Sequence, residues 1–187
     1  WRLLMKILLL SDTHGLLDKV YEIYGKLNHI DLIIHCGDYQ RDAHTLEDTL
    51  GIPIVSVKGN CDGASRPDRE IVETPAGKLL ITHGHLEGAG YDYNNLLYLA
   101  EEKDCIAVCF GHTHVPMCED FGGIYLINPG SLTNPRDGSN GSYAILHSTE
   151  EDFYANIVYY DTVCGSQKKK KPQGGFIRGL LNYSDRF

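Results

Sequence analysis

At 187 residues, 42% of them hydrophobic, the chain has the size and apolar content of one domain with a continuous core. A formal charge of -8 excludes the broad basic surface that polynucleotide binding demands, so nucleic acid is not an expected partner and any anion must be drawn by local charge. The six cysteines form no C-x-x-C pair and four lie within or at the ends of apolar runs, which points to reduced thiols and a cytoplasmic protein.

The chain opens with WRLLMKILLL. Met5 reads as the natural start, with residues 1–4 an upstream extension or cloning remnant. Lys6 and the Ser11-Asp12 pair interrupt the apolar stretch too early for an export leader. No run approaches the roughly 20 apolar residues that span a membrane. The first strand-length run is 6–10, and three- and four-residue apolar spacing then predicts a helix over 16–27. A strand at 32–36, a shorter helix at 42–50, and strands at 54–57 and 78–82 come next. A helix over 92–103 leads into the strand 106–110, after which strands stand alone at 124–127, 143–146 and 154–160. This order predicts an α/β layered domain whose first sheet is mostly parallel and whose later strands build a second, more antiparallel sheet. From Val163 the character changes. CGSQKKKKPQGG reads as a solvated linker, and FIRGLLNYSDRF carries enough apolar residues to dock on its own domain or on a neighbouring subunit, which leaves homo-oligomerisation open. The expected organisation is one domain at 5–162 and a linker with tail at 163–187.

The residues just past the apolar runs carry the chemistry. Ser11-Asp12-Thr13-His14, Gly37-Asp38, Gly59-Asn60, Thr82-His83-Gly84-His85 and Gly111-His112-Thr113-His114 each come directly after a strand, so five strand ends deliver oxygen or imidazole ligands. Ligand sites of open α/β sheets form outside the carboxyl ends of strands, which brings the five together. In an extended segment residues i and i+2 share a face, so Asp12 with His14, and His112 with His114, are expected to act as pairs. Asp12, His14, Asp38, Asn60, His83, His112 and His114 are too many donors for one tetrahedral ion with an open position and suit two ions about 3.5–4 Å apart. Elsewhere, His29, His35, His44 and His147 read as satisfied core histidines.

The series D-x-H, G-D, G-N, H-G-H and G-H-x-H resembles the calcineurin-like metallophosphoesterase superfamily. The forms H-C-G-D, G-N-C-D and N-P-G-S resemble its small bacterial and archaeal phosphodiesterase branch, over about residues 5–161. The resemblance implies a four-layer αββα sandwich of two mixed β-sheets flanked by helices. It also implies a dinuclear centre in which Asp12, His14, Asp38 and His114 hold one ion and Asp38, Asn60, His83 and His112 the other. Two divalent ions offset the negative surface locally and lower the pKa of a bridging water, so the expected reaction is attack of that hydroxide on a small phosphodiester substrate. Nitrogen and oxygen ligands admit Mn, Fe, Co, Ni or Zn, and the resemblance points to Mn.

Where many relatives with strong monoesterase activity carry a histidine after the motif asparagine, this chain has Cys61, a poorer proton donor, so slow turnover of poor leaving groups is expected. His85 is a candidate contact to a phosphoryl oxygen or leaving group, or else an orienter of a ligand. Asp62 is expected to orient a ligand imidazole, and Arg136 reads as a solvated turn residue within reach of a phosphate. The alternative is a catalytically weak protein of the same fold acting as a protein-interaction scaffold, as a retromer subunit does; the intact ligand set favours the enzyme.

Overall fold

The computed structural model describes residues 4–63 and 66–165, so the expected linker and tail fall outside the described residues from Ser166 onward. Ten strands and four helices occur among the described residues. In chain order they are β1 (Met5–Leu10), α1 (Asp18–Tyr24), β2 (Leu32–His35), α2 (Gln40–Leu50), β3 (Ile54–Ser56), β4 (Arg69–Thr74), β5 (Gly77–Thr82) and α3 (Asn94–Glu102). They continue with β6 (Cys105–Cys109), β7 (Met117–Asp120), β8 (Tyr125–Asn128), β9 (Ser142–Ser148), β10 (Phe153–Tyr159) and α4 (Tyr160–Cys164).

Two mixed five-stranded sheets result, one in the order β10, β9, β1, β2, β3 and the other β4, β5, β6, β8, β7. In the first sheet β1, β2 and β3 run parallel and β9 and β10 pair antiparallel; in the second β5, β6 and β8 run parallel and the edge strands β4 and β7 antiparallel. The expected division by chain order is corrected here. β9 and β10 do not extend the second sheet but return to the first, where Ile7 faces Leu146. The burial of β9 supplies the reason: six of its seven residues are buried, so it needs a neighbour on each side, and β1 is otherwise open on that edge.

Side-chain alternation along β1 sets the layers. Ile7 and Leu9 point between the sheets, meeting Leu79 and Ile81 of β5 and Ala107 and Cys109 of β6. Leu8 and Leu10 point outward to Val20 and Ile23 of α1 and to Ala43 and Leu46 of α2. On the far side Leu80 and Val108 meet Leu96 and Ala100 of α3. Helices, sheet, sheet and helix therefore form the four layers. The strand β4, REIVET, escapes sequence reading because only Val72 of its six residues is buried. The domain also runs past the boundary expected at 162, since α4 continues to Cys164.

Candidate metal centre

The ends of β1, β2, β5 and β6 and the loop after β3 meet at one edge of the sandwich, and they do so with unusual backbone. Asp12, His14, Asp38, His112 and His114 all have positive φ, between 49° and 66°. The expected pairing through an extended backbone is therefore wrong for both motifs: the chain coils left-handed at the ligands, and sharp turns aim the side chains inward. Left-handed backbone costs residues with a β-carbon roughly 1–2 kcal/mol each, so surrounding bonds must hold it. They come largely from the N-P-G-S segment. Ser131 Oγ donates to the Asp12 carbonyl at 2.9 Å and accepts from the Asn134 amide at 2.9 Å and the Thr133 amide at 3.2 Å. Thr133 Oγ1 reaches the Thr13 carbonyl at 3.0 Å, and Asn128 Nδ2 donates to the Gly111 carbonyl at 2.8 Å. Close approach also excludes a side chain at two glycines. A β-carbon at Gly59 would lie 2.1 Å from Asp38 Oδ1, and one at Gly111 would lie 1.9 Å from Ser11 Oγ and 2.6 Å from Asp12 Oδ2.

All seven expected ligands converge. His14 Nε2 lies 3.4 Å from His114 Nε2 and 3.9 Å from Asp38 Oδ2. His114 Nε2 is 3.1 Å from Asp12 Oδ1, and His83 Nε2 is 3.5 Å from Asp38 Oδ1 and 4.0 Å from Asp12 Oδ1. Asn60 Oδ1 sits 3.1 Å from His83 Nε2 and 3.0 Å from His112 Nδ1. The far side of two imidazoles settles their tautomers: His83 Nδ1 donates to the Cys36 carbonyl and His114 Nδ1 to the Asn134 carbonyl, each at 2.7 Å. Neutral His83 and His114 therefore aim the Nε2 lone pair at carboxylate and amide oxygens, which are acceptors too. Acceptors facing acceptors at 3.1–3.5 Å repel unless a cation lies among them. Asp12 Oδ1 is fully buried and has no hydrogen-bond partner. An orphaned buried carboxylate oxygen costs several kcal/mol, so the donor set fits divalent metal. Donor atoms lie within 4.8 Å of one another in three overlapping groups: Asp12, His14 and His114; His14, Asp38 and Cys61; and Asp12, Asp38 and His83.

Burial works against the Asp12 charge, but where a proton rather than a metal fills the gap, the hydrogen bond from His114 and then the charge of His83 outweigh burial and hold the carboxyl below its usual range. Burial, then the charge of His83, lowers His112, whereas in metal-free protein the Asp12 carboxylate overcomes burial to raise His114, favouring a proton where a metal would otherwise lie. Beneath the centre a buried relay fixes the first ligand loop. The Gly37 amide donates to His35 Nδ1 at 3.3 Å, so His35 carries its proton on Nε2 and donates to Thr13 Oγ1 at 2.9 Å. Thr13 in turn donates to Asp42 Oδ2 at 2.5 Å, which also accepts from the Gly15 amide at 2.8 Å.

The remaining candidates separate clearly. His85 lies beside the ligands, its ring centroid 5.2 Å from that of His83 and 6.2 Å from that of His112, and its buried Nδ1 makes no hydrogen bond. Burial, then the His83 charge, lowers its pKa. Cys61 stands at the mouth, largely exposed, with Asn60 Nδ2 donating to its sulfur at 3.3 Å. Partial desolvation of that sulfur, then the Asp38 carboxylate beside it, push the thiol up to about 11. Asp62 is not seen on an imidazole: its oxygens accept from the Gln40 amide at 2.8 Å and the Gly59 amide at 2.9 Å, capping α2 and pinning the Asn60 loop. The imidazole-orienting work expected of it falls to the carbonyls of Cys36 and Asn134. Arg136 is exposed, its backbone amide bonded to the His114 carbonyl at 3.1 Å. Of the four histidines read as core, only His35 is buried there; His29 and His44 are exposed, and half-buried His147 stacks on Tyr154 at 4.6 Å. Sequence reasoning missed the supporting roles of His35, Asp42, Ser131, Thr133 and Asn134, although the H-C-G-D and N-P-G-S motifs marked two of these segments.

No helix among the described residues is long and apolar enough to cross a membrane. Comparison with known proteins agrees with the site. The model of the calcineurin-like phosphoesterase superfamily domain matches residues 5–151. The probable metallophosphoesterase YsnB of Bacillus subtilis is 40% identical over 161 residues, covering 84% of this chain and 91% of its own. Phosphodiesterase YfcE of Escherichia coli K12 is 29% identical, over 76% of this chain and 88% of its own. Among solved structures, a predicted phosphoesterase of Streptococcus pneumoniae superposes with a TM-score of 0.72 at 30% identity, covering 85% and 91% of the two chains. A Vps29 of Entamoeba histolytica, at 20% identity and a TM-score of 0.63, shares the fold. With a family model spanning most of the domain and ligand types at every strand end where that family's motifs fall, the chain belongs to the calcineurin-like phosphoesterase superfamily.

Proposed function

We propose that the chain is a phosphodiesterase that depends on two divalent ions, Asp12, His14, Asp38 and His114 holding one and Asp38, Asn60, His83 and His112 the other. The observation that carries this reading is the cluster of acceptors facing acceptors around the orphaned Asp12 Oδ1. Divalent ions bound there supply an activated water at neutral pH and a positive clamp for the phosphoryl oxygens, with Mn the expected activator. The chain's own groups do the positioning. Carbonyls of Cys36 and Asn134 fix the ring planes of His83 and His114, and Ser131 with Thr133 fixes the Asp12 loop. No side-chain nucleophile is needed, and the Cys61 thiol, though beside His14 and Asp38, is held protonated at neutral pH. His85, whose ring lies 6.2 Å from that of His112, is assigned to hydrogen-bond a phosphoryl oxygen or the leaving group. Asp62 serves the reaction by holding the Asn60 loop. A small phosphodiester suits a centre with no basic track around it among the described residues.

The test is hydrolysis of bis-p-nitrophenyl phosphate by chelator-stripped protein with and without Mn, alongside Asp38→Asn. Turnover that appears with Mn and is lost in the variant supports the reading. Absence of Mn-dependent turnover would favour a protein-interaction scaffold on the same fold.

A further inference from the structure

A cavity of about 530 Å³ opens beside the metal centre and shares His112 with it. Its size is within the range of about 300–1,000 Å³ usual for small-molecule sites. One wall is aromatic: Phe110 is buried, and the half-buried Tyr93 packs against it with ring centroids 5.9 Å apart. Val115, 43% exposed, forms part of the entrance. At the rim stand Arg136 and Glu119, both exposed, and neither side chain has a hydrogen bond or ion pair among the described residues. One cavity thus offers ring faces at depth, and a donor and an acceptor of opposite charge at its edge.

We infer that this cavity binds the organic part of the phosphoester, and that the group it selects is a flat heteroaromatic ring of nucleobase size. The inference rests on the proposed reading of the metal centre and adds the substrate class. An aliphatic chain would fill such a space without using the charged rim, and a second phosphate would face Glu119. A nucleobase meets all three elements: its face lies on Tyr93, which Phe110 backs from the core, and its edge presents acceptors to Arg136 and donors to Glu119. The phosphate then falls toward His112 and the ions. Glu119 and Val115 are outside the ligand set, so they choose the substrate without touching the chemistry.

The experiment compares binding of adenosine 5′-monophosphate and inorganic phosphate to the full, Mn-loaded chain by calorimetry, in wild type, Tyr93→Ala and Val115→Trp. Contact between a base and aromatic side chains contributes about five- to 150-fold in affinity. The nucleotide is therefore expected to bind wild type at least about tenfold more tightly than phosphate. Val115→Trp, which fills the entrance from an exposed position, should bring the two ligands within about threefold of one another while phosphate affinity stays as in wild type. Tyr93→Ala should do the same, and Val115→Trp covers the case in which Tyr93→Ala fails to fold. Nucleotide and phosphate binding wild type alike, neither binding, or Val115→Trp weakening both equally would each overturn the inference. Binding is read without turnover. Failure of bis-p-nitrophenyl phosphate hydrolysis thus counts against the metal chemistry alone, and loss of nucleotide preference counts against the cavity alone.

Discussion

Replacing Ser131 by alanine removes one buried hydroxyl that serves three partners: it donates to the Asp12 carbonyl and accepts from the amides of Thr133 and Asn134. Ser131 itself is 0% exposed, so water does not simply take its place. A hydrogen bond contributes about 0.5–1.5 kcal/mol net, and a buried group left unpaired costs about 1–3 kcal/mol. Asp12 keeps a second contact, from Thr133 Oγ1 at 3.2 Å, and the two amides are only partly buried, so the total loss is about 2–4 kcal/mol. For a domain of this size each kcal/mol lowers Tm by about 2–4 °C, which predicts a fall of roughly 4–16 °C in metal-free protein by calorimetry. Metal affinity should drop with it, because the Asp12 loop loses its anchor and Asn134 no longer holds His114 as firmly. Loss of such a supporting contact weakens metal binding about 10- to 100-fold. Thr45→Ala, at an exposed position of α2 where the hydroxyl bonds the Arg41 carbonyl of its own helix, is the control and should leave both quantities nearly unchanged. If Ser131→Ala melts within about 2 °C of wild type and titrates with Mn identically, the N-P-G-S segment is not what holds the strained ligand loops.

Mn at about 100 times its dissociation constant should stabilise the protein by about 2.7 kcal/mol, raising Tm by about 5–11 °C, and Asp38→Asn should abolish that shift. Cys61→His should speed hydrolysis of monoesters with alkyl leaving groups while leaving p-nitrophenyl diesters little changed; equal rates with alkyl esters would refute the leaving-group argument. Tyr160 donates a short hydrogen bond to Glu22, which pushes the phenol up to about 12 and holds the Glu22 carboxyl below its usual range. A depressed carboxyl contributes stability above its ordinary pKa of about 4.3 and loses it as the pH falls through the folded value, so the gap between wild type and Glu22→Gln in urea melts should narrow below about pH 4.3.

The two sheets were readable because their central strands are near-continuous apolar runs ending in turn chemistry, and every ligand type stood at such an end. Strand β4 was not, since an edge strand with one buried residue carries no period-two signal. That the seven candidate side chains meet was legible, but their backbone geometry was not. Asp, Asn and His are the residues that most tolerate left-handed backbone, yet spacing alone reads D-x-H as an extended pair, and only the tertiary bonds from Ser131 and Thr133 show why it coils. Those bonds join positions 119 and 120 residues apart, a distance at which a motif reveals its presence and not its partner. Asp62 was misassigned for the same reason: its neighbours in sequence are ligands, while its partners in space are backbone amides.

The pairing of β1 with β9 bears on how the chain reaches its native state. β1 precedes every other strand among the described residues and sits at the middle of its sheet, so one flank meets β2 within a few dozen residues while the other waits for Leu146, 139 positions after Ile7. Closing so wide a separation is slow, and until it happens a row of unpaired amides and carbonyls on an apolar strand stays open to other chains. A nascent chain in which β9 has not yet been made therefore presents this edge to chaperones, and truncations that remove β9 should aggregate rather than yield a smaller folded unit.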